Sequence, residues 1–307
     1  MGKSYTVSAR LLAHYRATAR DLPWRRSRDP YAVLVSEVML QQTQAARVAP
    51  AFERFMRRFP TLSALAAAPL GAVLREWSGL GYNRRARDLH LIARRCENGV
   101  PDTVAELDAL PGVGAYTAGA IASFAFGRRV AFADVNIKRV LGRFFLGRPG
   151  TDHEALELDT RAMPRRSSDL WHHALMDLGA AICTSRTPNC AVCPLRTDCR
   201  FARGHAGTAA GVLRVAVGGS LRRGARRREL KGTAVRHTPP ASRPAAFKDS
   251  DRRIRGAIVR ALVKSEAGLT VRALEKEIGD ERVGRLTAAL VADGLAERTG
   301  RRYRLPV

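Results

Sequence analysis

Two carboxylates occupy positions where acid and base of unlike character can be made. Glu37 is the one charged residue in the eleven-residue apolar stretch from Tyr31 to Gln41, within YAVLVSEVMLQQTQ. A carboxylate so placed either turns to solvent or is held in an apolar pocket. There the loss of hydration keeps its proton on near neutral pH and suits it to general-acid work. Asp134, in AFADVNIKRVLGRFF, stands just before an amphipathic run carrying Lys138, Arg139 and Arg143, the place of a helix N-cap. It either caps that helix and does no more, or also holds negative charge beside a developing cation. Between the two, LPGVGAYTAGA at 110–120 sets Pro111, Gly112 and Gly114 between helical patterns. That turn is either a plain helix–helix connection or one whose backbone N–H groups, at Gly112, Val113 and Gly114, approach a DNA phosphate. Gln41, Gln42 and Thr43 follow Glu37 closely and can hydrogen-bond base edges.

The second concentration of chemistry is CTSRTPNCAVCPLRTDC. Four of the five cysteines, Cys183, Cys190, Cys193 and Cys199, lie in it with the spacing C-x6-C-x2-C-x5-C. Zinc sites usually pair two short hooks a dozen or more residues apart. One hook flanked by loops of six and five fits a [4Fe-4S] cluster better, each iron taking one thiolate. Cys96 stands apart on a helical pattern and reads as a small buried apolar residue.

These groups need elements to position them. From residue 5 to about 200, apolar residues recur at three- and four-residue spacing, punctuated by short Pro, Gly and Asn turns, and no alternating strand pattern occurs. The expectation is a mainly α domain of many short helices over 1–205. A stretch rich in Gly, Ala, Arg, Ser and Pro over 206–250 reads as a basic flexible linker. Residues 251–307 then read as three helices and a terminal hairpin, a winged-helix-like unit. Lys and Arg number 53 against 28 Asp and Glu, a net charge of +25. Residues 200–260 alone hold 16 Lys or Arg against three acids, about half of that excess. Such a field points to nucleic acid as partner. No run is long and apolar enough for a bilayer, and the N-terminal stretch lacks a signal-peptide core, so a soluble, cytoplasmic setting with reduced thiols and no membrane partner is expected.

Taken in order, LPWR, SEVMLQQTQ, FPTLSALAAAP, GLGYNRRARDLH, LPGVGAYTAGAI, DVNIKRVLGRFF, ALMDLGAAICT and the cysteine loop resemble the helix-hairpin-helix DNA glycosylases. Among these they are most similar to the MutY-type adenine glycosylases, over roughly residues 5–205. The resemblance implies a helix-hairpin-helix fold, with a six-helix barrel at about 28–135 and an iron–sulfur part made by the N-terminal helix and 136–205. It implies removal of adenine mispaired with 8-oxoguanine or guanine in double-stranded DNA, by a monomer carrying a [4Fe-4S] cluster. Glu37 matches the residue that protonates adenine at N7, and Asp134 the one that stabilises the sugar cation. Tyr116 stands where strand-cleaving relatives keep a lysine, which implies a monofunctional glycosylase. Gln42, Leu80 and Tyr82 match residues that wedge into the duplex, and Trp24 and Met176 match the walls of the base pocket.

The sequence also departs from that family. Nothing over 206–307 resembles its Nudix-like domain, so 8-oxoguanine recognition falls on Gln42, Thr43, Leu80 and Tyr82, and the C-terminal unit is left to bind DNA or a repair protein. Asp134 is followed by Val-Asn where Gly commonly sits between Asp and Asn. His173 takes a place beside the base usually given to Gln or Glu. Two other readings stay open: a mismatch thymine or uracil glycosylase on the same scaffold, and a non-catalytic iron–sulfur regulator that binds DNA through its winged helix.

Overall fold

The computed structural model describes residues 2–204 and 250–307; apart from Ser250, the linker expected over 206–250 lies outside the described residues. The helix that fixes everything else is α2 (Pro30–Leu40), after α1 (Gly2–Thr18). Asp29 starts α2 by accepting hydrogen bonds from the amides of Tyr31 and Ala32, with Pro30 at the first helical position, where its missing N–H costs nothing. Every residue from Tyr31 to Met39 is buried. A helix apolar on all sides has to be the middle of its domain.

Around it pack α3 (Ala45–Arg58), α6 (Arg84–Arg95) and α8 (Ala115–Phe124). The short helices α4 (Leu62–Ala67), α5 (Leu70–Glu76) and α7 (Val104–Asp108) complete this half. α7 and α8 pack as a hairpin around Pro111–Gly114, with Gly112 at φ +73°, a left-handed conformation that glycine adopts without strain. The other half consists of α9 (Val135–Leu146), α10 (Asp152–Ala162), α11 (Ser168–Ala181) and α12 (Arg200–Gly204). α1 returns to pack on α10 and α11, so the two ends of this region share one half, and α11 meets α8 across the middle. No helix among the described residues is long and apolar enough to cross a membrane.

The C-terminal unit contains α13 (Asp251–Lys264), α14 (Val271–Ile278) and α15 (Val283–Ala292) over a small antiparallel sheet. Its strands are β1 (Leu269–Thr270), β2 (Glu297–Thr299) and β3 (Arg302–Arg304), with β3 central. The helical pattern of LTVRALEKEIG misleads at its start. Leu269 and Thr270 pair with Tyr303 and Arg302, and Thr270 then caps α14 by accepting from the Ala273 amide. Periodicity within the segment cannot reveal a partner strand more than thirty residues away. This unit sits on α5 and α6: the Gly71 amide donates to the Pro306 carbonyl at 2.8 Å, and Arg87 donates to the Asp293 carbonyl at 2.6 Å.

Candidate active site

Glu37, in the third turn of α2, is 5% exposed and forms part of the lining of a cavity of about 140 Å³. A void of similar size takes a benzene ring, so there is room for the flat ring of a base. Trp24, Phe124, Leu170 and Val33 supply apolar walls. Burial pushes the Glu37 carboxyl up to about 7, and the nearby Asp134 charge adds to this. Arg25 and a hydrogen bond from the Tyr116 hydroxyl oppose it without cancelling it. Near neutrality this carboxyl therefore holds and releases a proton over a small pH range.

Arg25 does not collapse onto Glu37, because Asp177 on α11 holds it bidentately at 2.9 Å from both guanidinium ends. Arg20 joins the same carboxylate at 2.7 Å. His173 lies on the opposite wall, stacked on Phe124 at 4.0 Å and 9°. Its Nδ1 is buried without a hydrogen-bond partner, and burial holds the imidazole well below its usual range, so the ring is neutral. His173 lines the cavity, and a neutral imidazole carries one donor and one acceptor nitrogen for a base edge, assigned by its tautomer. Met176 does not reach this cavity. It stands one helical turn beyond His173 on α11, and Phe124 and Leu170 form the wall expected of it.

Asp134 caps α9. It accepts from the amides of Asn136 at 3.0 Å and Ile137 at 2.7 Å, and from the Asn136 side chain at 2.8 Å. Three N–H donors on one carboxylate fix its direction at the positive end of a helix. Asn136 is pressed against Gly179 of α11, where an added Cβ would lie 2.7 Å from the Asn136 Cβ. Capping and proximity to Glu37 therefore belong to the same residue. In the hairpin turn, Gly112 and Gly114 are exposed and Val113 is buried. Gln41 ties α2 to this turn by donating to the Gly112 carbonyl at 3.1 Å. An added Cβ at Gly114 would meet nothing within 4 Å, so the start of α8 is open to an anion.

Two loops, 41–44 and 78–83, meet on the far side of α2. Gln42 and Tyr82 hold left-handed backbone conformations, φ +54° and +49°, that non-glycine residues adopt only when their surroundings impose them. Arg85, which the sequence did not single out, supplies the constraint. Buried between Trp77 and Tyr82, it donates to the carbonyls of Val38 and Met39 at the end of α2, of Gln41 on one loop, and of Leu80 and Gly81 on the other. It also bonds the Thr43 hydroxyl at 3.1 Å, so Thr43 is committed to the scaffold. Gln42 is exposed, and Tyr82 is half-buried. Leu80 is only 4% exposed, so in this conformation it is packed into the fold and does not project.

The four cysteines line one small cavity with Arg143, Ile182 and Phe201. No three His, Cys, Asp or Glu side chains among the described residues converge closely enough for a single ion. Four thiols around one cavity are the donor set that a [4Fe-4S] cluster needs, one for each iron. Arg143 binds the loop by donating to the Thr184 and Ser185 carbonyls at 2.7 and 2.9 Å, and approaches the Cys183 sulfur at 3.4 Å. Cys96, at the C-cap of α6, is buried as expected.

A further set escaped sequence reading. Asp159 accepts from Trp171 and His172 at 2.6 and 2.8 Å, and His172 meets Ser123 at 3.2 Å. The order Ser–His–Asp is that of a hydrolytic triad, yet all three are fully buried, so no substrate reaches the serine. The network joins α8, α10 and α11 behind the cavity.

Comparison with known proteins places this geometry. Residues 35–164 match the HhH-GPD superfamily of base excision DNA repair proteins. An adenine DNA glycosylase of Mycolicibacterium smegmatis is 36% identical over 94% of this chain and 92% of its own length. That of Mycobacterium tuberculosis is 44% identical over 63% of this chain and 67% of its own. A thermostable thymine-DNA glycosylase superposes with a TM-score of 0.61 at 29% identity, covering 66% of this chain and 97% of that one. An endonuclease III bound to DNA gives 0.56 at 25%, covering 67% and 99%. With near full-length similarity added to the helical hairpin beside a buried glutamate, the chain belongs to the adenine DNA glycosylase family of helix-hairpin-helix base-excision enzymes.

Proposed function

We propose that this DNA glycosylase hydrolyses the N-glycosidic bond of adenine mispaired with 8-oxoguanine or guanine, without cleaving the strand. The observation that carries the reading is Glu37: a buried carboxyl at about 7, in the wall of a cavity of about 140 Å³ with aromatic sides. Adenine leaves poorly as an anion, so protonation at N7 has to accompany departure. Pyrimidines have no N7, and their excision would leave the proton of Glu37 without this use.

In the proposed sequence the adenine swings out of the duplex and stacks by Trp24 and His173. Glu37 gives its proton to N7, and the C1′–N9 bond breaks with its electrons passing to the base. The oxocarbenium-like sugar faces the Asp134 carboxylate, as in glycosidases. Water then adds at C1′ and returns a proton to Glu37. Tyr116 has no amine to form a Schiff base, and its hydroxyl is spent on Glu37. The hairpin amides at Gly112, Val113 and Gly114 hold a phosphate, and Gln42 and Tyr82 occupy the gap left opposite. The four cysteines would hold a [4Fe-4S] cluster, whose contribution is to brace the loop between α11 and α12.

Single-turnover incubation with duplexes carrying A·8-oxoG, A·G, T·G or U·G, followed by alkali, tests the reading. Abasic sites should form opposite 8-oxoguanine and guanine, only where adenine is the target. Processing of T·G or U·G alone would replace it with the pyrimidine reading, and no product from any duplex would leave DNA binding without catalysis.

A further inference from the structure

A groove of about 930 Å³ runs between the 41–44 and 78–83 loops and α13. Seven arginines line it, and no carboxylate does so among the described residues. Arg85 is committed to the two loops, Arg253 to Asp280 and Arg255 to Asp293, while Arg47 donates to the Gly79 carbonyl and Arg252 to the Tyr82 hydroxyl. Arg47, Arg84, Arg252 and Arg260 are exposed along the groove. Two come from each side, so the positive charge belongs to neither unit alone.

The contact that forms the groove is built into both partners. Arg252 donates to the Tyr82 hydroxyl and lies 4.9 Å over its ring. Gly71 is buried under the C-terminal segment, and a Cβ there would lie 2.5 Å from the Pro306 carbonyl oxygen. Only glycine allows that approach, and backbone cannot give way as a side chain would.

We infer that the C-terminal unit binds DNA here, through α13 and as part of the glycosylase footprint, with the sugar–phosphate backbone of the strand opposite the extruded base as its ligand. The groove's chemistry is a row of guanidiniums with no acid, which suits successive phosphates and reads no sequence. Its place beside Gln42 and Tyr82 selects the opposite strand, and that choice rests on the proposed role of those two residues. On α15, the helix that would enter a major groove in a free winged helix, Arg285 pairs with Asp251 at 2.8 Å.

The test is anisotropy with full-length protein and a fluorescent duplex carrying A·8-oxoG, across a salt series. Arg252→Ala with Arg260→Ala should weaken binding tenfold or more and flatten the slope of log K against log salt by about 1–2, since each phosphate contact contributes roughly 0.9. Arg272→Ala with Lys276→Ala, on α14 outside the groove, removes the same charge and should leave the slope near wild type. Gly71→Val, which expels the C-terminal segment, should reproduce the loss. Equal flattening by the α14 pair would overturn the inference, as would a wild-type slope in the α13 pair. If wild type excises no adenine while these slopes hold, the adenine reading fails and the DNA surface stands.

Discussion

Glu37→Gln should abolish excision and make the protein more stable at alkaline pH. The group's ordinary value is 4.5, and burial holds it at about 7 in the fold. Between those values the folded chain keeps a proton that the unfolded chain has released. Stability from this group is therefore complete below about pH 4.5, falls as pH rises towards 7, and is level above. The full difference is about 3 kcal/mol, from roughly 1.4 kcal/mol for each tenfold change in proton affinity. Gln keeps the shape and still accepts from Tyr116, but has no proton to lose. The variant should match wild type within about 1 kcal/mol at pH 5 and exceed it by about 3 kcal/mol at pH 8. For a domain of this size that is a rise in melting temperature of about 6–12 °C. Thermal unfolding of both proteins at pH 5, 6, 7 and 8 measures it. A difference that does not change with pH, or one favouring wild type at pH 8, would show that Glu37 is not held as a buried acid.

The wild-type excision rate should fall as pH rises through about 7, and Tyr116→Phe should move that limb upward, because the lost hydroxyl supports the carboxylate form; single-turnover rates from pH 6 to 9 decide it. Arg85→Lys should destabilise by about 3 kcal/mol or more, since three ammonium protons cannot replace a planar fork serving six acceptors. Limited proteolysis should then open the chain near Gln42. Gly179→Ala should drive Asn136 aside and slow excision at least tenfold through Asp134. Adding Asn136→Gly should recover melting temperature without recovering the rate.

Much of the site could be read in the chain because each residue carried a local contrast. Glu37 was a charge among apolar neighbours, Asp134 an acid at the head of an amphipathic run, and Gly112 a glycine between two helices. Burial, capping and a left-handed turn are set mainly by such neighbours. Arg85 had no contrast to show, one arginine in GYNRRARDLH among 53 basic residues. Its partners lie more than forty residues away on α2. Asp177 lies 152 positions from Arg25, which it binds, and His173 stacks on Phe124 from a distant helix with its Nδ1 buried and unpaired. Leu80 shows the converse: its place in the loop was evident, but its burial depends on what packs over it.

The clamp at Arg85 has a consequence for anyone exchanging parts between such enzymes. The two loops are separate in sequence but are closed by one guanidinium, which binds the Gln41 and Gly81 carbonyls next to the left-handed residues Gln42 and Tyr82. A transplant of residues 41–44 alone would therefore arrive without its fastening, and one of 78–83 alone would bring a fastening cut for another loop. The smallest portable unit is both loops together with Trp77 and Arg85, and lineages that vary one half should be found to vary the other with it.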